Sequence, residues 1–388
     1  MPSRIHALLT APILLLSVTL SAEPLEWGLS YTADYLGNAR GGIETSYRYL
    51  DNVDLTLSLP VAADNALGLP AGQLFGYLIY NNSNQFSPEV VGDIQVVSNI
   101  DNTYNSRVYE LWYQMPLTAS SSLKAGLIDL NTEFDSIETA QLFLHSSHGI
   151  GFDYSQSGAN GPSIFPVTSL AARLEWKQGQ WGWRIAVFDA VPGDPDNSRR
   201  TAVELSSEEG ALLAAELNYQ AGNTRYGLGT WLYTEPTDRV GTTALASKSA
   251  ARNQGLYGFV EQRNLLWGDA GFSWWLRAGS ARDGVNSSDG YLGAGIVISP
   301  ASTENRCRVE FGLALAHTRA SDHFRELVQV SQPSPVARAE TALELTYRYQ
   351  LTPQLSLQPD LQYVFNPGFS GLLKDTVVFG IRVNWSPF

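Results

Sequence analysis

Between Ala339 and Leu351 the chain alternates apolar and polar residues without a slip. Leu343, Leu345, Tyr347, Tyr349 and Leu351 fall on one side, and Glu340, Glu344, Thr346, Arg348 and Gln350 on the other. A period of two marks a β-strand with one apolar and one polar face. The pattern returns in Gln354–Phe365, Thr376–Trp385, Leu213–Tyr219 and Cys307–Leu315. No stretch with helical periodicity is available to cover these apolar faces. Many two-faced strands with no apolar partner need an apolar surrounding, and lipid is the simplest one.

Charge and cysteine content narrow the function classes. The formal net charge is −13, and loss of Arg4 with a leader would make it one unit more negative. That balance excludes a nucleic-acid partner, because such binding rests on Lys and Arg neutralising phosphates. The single cysteine, Cys307, excludes an intramolecular disulfide and sits in phase with Val309 and Phe311, so it reads as a packing residue. Ten Trp and eighteen Tyr suit the membrane–water interface, where one end of the ring is wet.

The N-terminus has the parts of an export signal. Arg4 is the positive region, Ala7–Leu20 the apolar run and Leu20-Ser21-Ala22 the cleavage site. Residues 1–22 are therefore expected to be a signal peptide and 23–388 the exported domain. Beyond Leu20 no apolar run approaches the ~18 residues of a spanning helix, so strands must do any crossing.

Seventeen candidate strands run from Trp27–Leu36 to Thr376–Trp385. Single-chain barrels of bacteria close with an even number, so sixteen is expected, with one early candidate a loop or merged with its neighbour. The early candidates are Trp27–Leu36, Gly42–Leu50, Val53–Leu59 and Leu74–Tyr80. Short connections such as Lys177–Gly179 and Ala221–Asn223 alternate with long ones such as Asn81–Asn105 and Asn131–Pro166. Tight turns on one side and long loops on the other are the layout of an outer-membrane barrel. The terminal Phe388 is an aromatic end on the last strand, out of phase with Trp385.

Four blocks go beyond architecture. Tyr31–Gly42 (YTADYLGNARGG) and Val97–Leu117 (VSNIDNTYNSRVYELWYQMPL) are the first two. Gly126–Gly149 (GLIDLNTEFDSIETAQLFLHSSHG) follows, continuing in Gly161–Leu174 and Ala186–Asp194. Leu351–Gly368 (LTPQLSLQPDLQYVFNPG) is the last. In this order they span nearly the whole exported chain and resemble the carbohydrate-selective porins of the OprB type. The resemblance implies an all-β, transmembrane antiparallel barrel of about sixteen strands in the outer membrane of a Gram-negative bacterium, passing sugars by diffusion. It implies sugars as permeating solutes, outer-membrane lipid and lipopolysaccharide as surroundings, and a homotrimer as a possible assembly. A general ion or solute porin is the alternative, expected to show a more one-signed lumen.

The residues alone place charges inside the barrel. If each apolar face meets lipid, the inward acids are Glu44, Asp54, Glu110, Glu175, Glu216, Glu310, Glu340, Glu344 and Asp360. The inward bases are Arg48, Lys124, Arg173, Lys177, Arg184, Arg225, Arg277, Arg308, Arg348 and Arg382. These nearly cancel, leaving the net negative charge to loops. Interleaved Arg and carboxylates can replace water around sugar hydroxyls. Trp112, Trp231 and Trp275 share the inner face, where a ring can stack on a pyranose. The 131–166 insertion is the best candidate for narrowing the pore. Asp135 is expected to cap a short helix there, with Ile137, Leu142 and Leu144 packing it on the wall and Asn131, Glu133, Asp135, His145 and His148 carried toward the lumen.

The solute-contacting set expected from this reasoning is Arg48, Glu110, Trp112, Glu133, Asp135, Arg173, Glu175, Arg184 and Arg382. No catalytic residue, metal ligand or cofactor is expected. His145, Ser146, Ser147 and His148 could be read as hydrolase parts beside Asp129 or Asp135, but nothing in their spacing brings nucleophile and base together. The two histidines lack a third ligand at helical spacing, and the 194–196 patch lacks a regular calcium loop.

Overall fold

The computed structural model describes residues 25–387 apart from 66–67, 83, 104, 196, 198–200, 204, 207, 239, 241–249, 268–269, 301–308 and 332–334. The signal peptide at 1–22, Cys307, Arg308 and Phe388 lie outside the described residues.

Sixteen strands follow one another along the chain. They are β1 (Glu26–Arg40), β2 (Tyr47–Val61), β3 (Gly72–Asn81), β4 (Asn105–Thr118), β5 (Ser121–Ile128), β6 (Ser169–Gln178), β7 (Trp181–Asp189) and β8 (Ala211–Ala221). Then come β9 (Thr224–Asp238), β10 (Ala250–Trp267), β11 (Ala270–Ala281), β12 (Ser288–Pro300), β13 (Val309–Ala320), β14 (Ala339–Thr352), β15 (Leu355–Phe365) and β16 (Thr376–Trp385). Each pairs antiparallel with its neighbour, and β1 closes on β16 with Tyr31 opposite Trp385. Gly42–Leu50 and Val53–Leu59 prove to belong to one stretch: residues 47–61 form β2 without a break. Asp51 and Asn52 read as turn residues but sit mid-strand. Asn52 faces inward, where it donates to Asp54, and Asp51 accepts from the Tyr31 hydroxyl.

Alternation sets the two faces of the wall. On β14, Glu340, Ala342 and Glu344 are buried inside while Leu343 and Leu345 are exposed outside. Phe311 and Leu313 of β13, Leu361 of β15, and Phe379 and Ile381 of β16 continue the outer apolar band. Trp27, Trp181, Tyr226 and Trp385 stand outward near the short-turn end, and Tyr35, Tyr47, Tyr49 and Tyr80 toward the long-loop end. Aromatic girdles at both margins of an apolar band are the outer-wall pattern of a membrane barrel. On the same outer face, an apolar groove of about 620 Å³ opens where small residues Ala172, Ala215 and Thr230 thin the wall.

The interior is filled by two loops that fold back inside. Loop 129–168 begins with α1 (Leu130–Glu133) and contains α2 (Phe152–Ser155). Its Phe134, Ile137, Leu142, Phe143 and Tyr154 pack on Phe188, Trp231, Tyr257 and Trp275 of the wall. Loop 82–104 places Phe86, Val90, Val91 and Val97 against Leu36, Leu50, Val364 and Val378. These wall positions break the polar-inside rule because a loop shields them from water. Gly312 of β13 faces this packing: a Cβ there would lie 2.7 Å from the Phe143 ring. A third helix, α3 (Asp322–Ser331), lies in the long connection from β13 to β14.

Candidate functional site: the lumen

Inward carboxylates of the wall mostly hold loop backbone. Glu344 accepts from the Leu144 and His145 amides at 2.6 and 3.1 Å. Glu261 accepts from the Thr139 amide at 2.5 Å and its hydroxyl at 2.7 Å. Glu216 accepts from the Asp135 amide at 2.8 Å and the Tyr257 hydroxyl at 2.6 Å. Glu340 performs the same service for loop 82–104, accepting from the Ile94 and Gln95 amides at 3.1 Å each and from Gly368 at 2.6 Å. An irregular loop inside a barrel has no ladder to satisfy its N–H groups, and charged acceptors make the strongest substitutes.

Cations complete the fastening. Arg277 of β11 donates to Asp135 at 3.2 and 2.7 Å and to Asp153, all three groups fully buried. Tyr257 and Tyr291 lie beside its guanidinium, each ring centroid 5.2 Å away. Glu133, at the end of α1, is paired with Lys124 and, at 2.9 Å, with Arg173. Burial pushes the Glu133 carboxyl up, but Lys124 and Arg173 outweigh it and hold it below the usual range. Arg184 donates to the Glu133 carbonyl at 2.9 Å and to Glu175 at 2.7 Å. Arg225 donates to the Ser136 carbonyl.

The anchors of loop 129–168 sit on β5 to β11 and β14, so that loop crowds this side of the lumen, while loop 82–104 lies against β1, β2, β15 and β16. A cavity of about 580 Å³ remains against β1, β2, β3 and β16. Thr32, Asn52, Asp54, Tyr77 and Arg382 are its wall residues. Asn99 and Asp101 come from loop 82–104, and Asp129, Asn131, Phe152 and Phe165 from loop 129–168. Burial pushes the Asp101 and Asp129 carboxyls up to about 6. A smaller hollow of about 210 Å³ beside the Gly179–Gln180 turn is lined by Glu175, Lys177, Arg184 and Arg225.

The residues singled out in the sequence thus separate by place. Arg382 lines the main cavity, paired with Asp34 at 2.7 and 2.8 Å and with Asn99 at 2.8 Å. Glu175 and Arg184 line the smaller hollow. Arg48 is at the long-loop rim, bonded to Glu44 at 3.1 Å. Glu110 accepts from the Trp112 indole at 2.6 Å, and Lys124 lies over that ring. These two, with Glu133, Asp135 and Arg173, are buried between loop and wall.

Several particulars differ from the expectation. Asp135 does not cap a helix: its φ is +52°, and Asp129 caps α1 instead, accepting from the Asn131 amide at 2.8 Å. Trp231 is covered by Tyr154, stacked at 5.0 Å, and Trp275 meets His148 edge-on at 5.5 Å, so loop side chains occupy these two rings. Asp34 and Glu261 are inward acids that the alternation argument missed. Asp34 stands in the YTADYLG stretch, where the apolar–polar alternation is broken.

His145 and His148 pack as buried rings. Burial lowers His145 to about 3 and depresses His148 as well. The 3.5 Å approach of His148 to Glu344 is therefore a contact of a neutral ring and not an ion pair. None of their ring nitrogens has a hydrogen-bond partner among the described residues, so no base is presented to Ser146 or Ser147.

Comparison with known proteins places this geometry. A family model described as carbohydrate-selective porin, OprB family, matches residues 44–386. Porin B of Pseudomonas aeruginosa is 23% identical over 408 residues, covering 93% of this chain and 88% of that protein. The high-pH structure of Pseudomonas putida OprB superposes with a TM-score of 0.78 at 20% identity, covering 93% of this chain and 94% of the other. Vibrio cholerae OmpT in its trimer form gives 0.52 at 10% identity, covering 94% and 99%.

Proposed function

The chain belongs to the carbohydrate-selective porin, OprB family, and from that premise we propose which part of the barrel the sugar passes. It is a carbohydrate-selective channel of the Gram-negative outer membrane, built on a closed sixteen-stranded barrel. The sugar path runs along β1, β2, β3 and β16, through the 580 Å³ cavity. Loop 129–168 is fastened to the opposite side by Glu216, Glu261, Arg277 and Glu344, and this one-sided fastening carries the assignment.

The cavity chemistry suits a pyranose. Asp54, Asn99 and Asp101 offer acceptors and donors for hydroxyls, while Tyr77, Phe152 and Phe165 offer faces for the apolar side of the ring. Glu175 and Arg184 meet the sugar next, in the hollow near the short turns. Glu110, Trp112, Glu133, Asp135 and Arg173 shape the path by holding the loop, and Arg48 acts at the mouth. No catalysis and no cofactor enter; the concentration gradient drives flux. Removal of residues 1–22 on export, contact with lipid and lipopolysaccharide, and a homotrimer belong to the same reading. The outer apolar band and the trimer form described for Vibrio cholerae OmpT support the last two.

Liposome swelling tests the path. Thr32→Trp and Asn52→Trp each fill the cavity from the wall and are expected to slow glucose and maltose entry several-fold. Swelling at the wild-type rate in both variants, with the barrel folded, would place the path elsewhere.

A further inference from the structure

On the outer face of β13 the apolar band ends in an arginine. The outward positions run Phe311, Leu313, Leu315, His317 and Arg319 toward the long-loop end. His317 pairs with Thr341, and Thr341 with the outward Phe365 of β15. Arg319 therefore stands one outward position beyond an aromatic margin, at the end of the barrel that faces the cell exterior. It joins Arg325 of α3 and Arg338, just before β14, around a hollow of about 330 Å³ that also holds Asp289 and Asp322. The frame is fixed. The Ala320 amide donates to the Arg338 carbonyl at 2.9 Å. The Ser321 hydroxyl accepts from the Phe324 amide at 3.2 Å, and the Phe324 ring meets Phe369 edge-on at 5.9 Å, which sets α3 in place.

The three guanidinium groups are only partly used. Arg319 donates through Nε and Nη2 to Asp289 at 2.7 and 2.9 Å, yet its side chain stays 63% exposed. Arg325 donates through Nη1 to Asp322 at 3.2 Å, while its buried Nε has no hydrogen-bond partner among the described residues. The Arg338 guanidinium has neither a hydrogen bond nor an ion pair among the described residues, and it is exposed. The nearby Asp283 is taken by His323 at 3.1 Å. Each carboxylate of the hollow thus has its own arginine, and one positive charge with several N–H donors is left over. Unused guanidinium donors fit the oxygens of a phosphate better than any other common anion, because the planar fork can bind two oxygens at once.

We propose that this hollow holds a phosphate group of an outer-leaflet glycolipid, the lipid A part of lipopolysaccharide. The place decides for a lipid over a free anion. Leu292, Leu313 and Leu343 are exposed on the outer wall below the hollow, so an amphiphile lays its acyl chains on them while its phosphate reaches the arginines above. A soluble phosphate gains nothing from that band. The inference rests on the outer-membrane placement given above and names the residues that meet the lipid there; it is independent of the sugar path inside the barrel.

The test is native mass spectrometry of the refolded protein in detergent, titrated with diphosphoryl lipid A and with the same lipid stripped of phosphate. EDTA removes bridging divalent cations, and salt of about 0.1 M screens charges more than ~10 Å apart. A basic side chain held at an anionic lipid surface is worth about fivefold in affinity. The wild type is therefore expected to retain lipid A and to retain the stripped lipid far less. The double change Arg325→Gln, Arg338→Gln should weaken lipid A binding by about tenfold to thirtyfold, with glucose entry in liposome swelling unchanged. Should that variant lose its heat-modifiable folded band, Arg338→Gln alone, at an exposed and unpaired residue, should still weaken it by about fivefold. Equal retention of lipid A by the wild type and the folded variants would overturn the inference. So would equal retention of the stripped lipid, or release of lipid A by excess inorganic phosphate, which would make the hollow a soluble-anion site. Absence of glucose entry through a wild-type barrel that retains lipid A as expected would overturn the sugar-channel reading and leave this inference standing.

Discussion

Arg277→Ala should turn a quiet channel into a noisy one, and acid should partly restore it. The guanidinium makes two hydrogen bonds to Asp135, at 3.2 and 2.7 Å, and one to Asp153. Both acids belong to loop 129–168, and all three groups are out of contact with water. Truncating Arg277 leaves two buried carboxylates without a countercharge, a defect that costs about 3–5 kcal/mol. At ~1.36 kcal/mol per factor of ten, the population with this part of the loop detached rises by roughly two to four powers of ten. Burial already raises both carboxyls, opposed by Arg277; without the arginine they rise further. An acid whose folded-state pKa is raised favours the folded state at low pH and loses that contribution as pH climbs through the folded value. The variant's penalty is therefore largest at pH 7.5 and shrinks toward pH 5. Single-channel recording reads this as excess open-channel noise and stepwise conductance changes that diminish on acidification. A trace as quiet as the wild type at pH 7.5, or noise that grows with acid, would refute the anchoring argument.

Tyr77→Ala removes a ring from the cavity lining; at about 0.5–1.5 kcal/mol for an aromatic contact, glucose block should weaken roughly twofold to tenfold in a current titration. Burial brings Asp101 and Asp129 to about 6, so both lose charge between pH 7.5 and 5, and cation preference measured by reversal potential should fall over that window; a constant ratio would contradict their placement. The same raised values mean that their contribution to folding is present below the ordinary 3.8 and lost as pH rises through about 6. Gly126 has φ +142°, and a Cβ there would lie 2.2 Å from the Leu111 carbonyl oxygen, so Gly126→Val should abolish the heat-modifiable folded band on gels.

The wall was legible in the sequence because the period of two is a local property. Leu343, Leu345 and Glu344 declare their faces with no knowledge of the rest of the chain. Strand count was nearly as accessible, the exception being β2, where Asp51 and Asn52 resemble a turn until their partners Tyr31 and Asp54 are in place. The lumen was less so. Sequence alternation places Glu344 inside, but its occupation by the Leu144 and His145 amides depends on a loop 200 residues away. Arg173 is inward as expected, yet the Glu133 contact at 2.9 Å buries it beneath α1. Parity tells which way a side chain points and not what already sits in front of it. The cavity residues Tyr77 and Phe165 carried no sequence signal of their own, since their role follows from the space that loop 129–168 leaves open.

Single-channel conductance of the refolded protein, titrated with glucose and a maltodextrin series, tests the central claim most directly. A sugar that enters and rests in the cavity beside β1, β2, β3 and β16 gives saturable block of the ion current, and Thr32→Trp reduces both open conductance and sugar affinity. Open channels indifferent to every neutral sugar would contradict it and leave a barrel that passes ions alone.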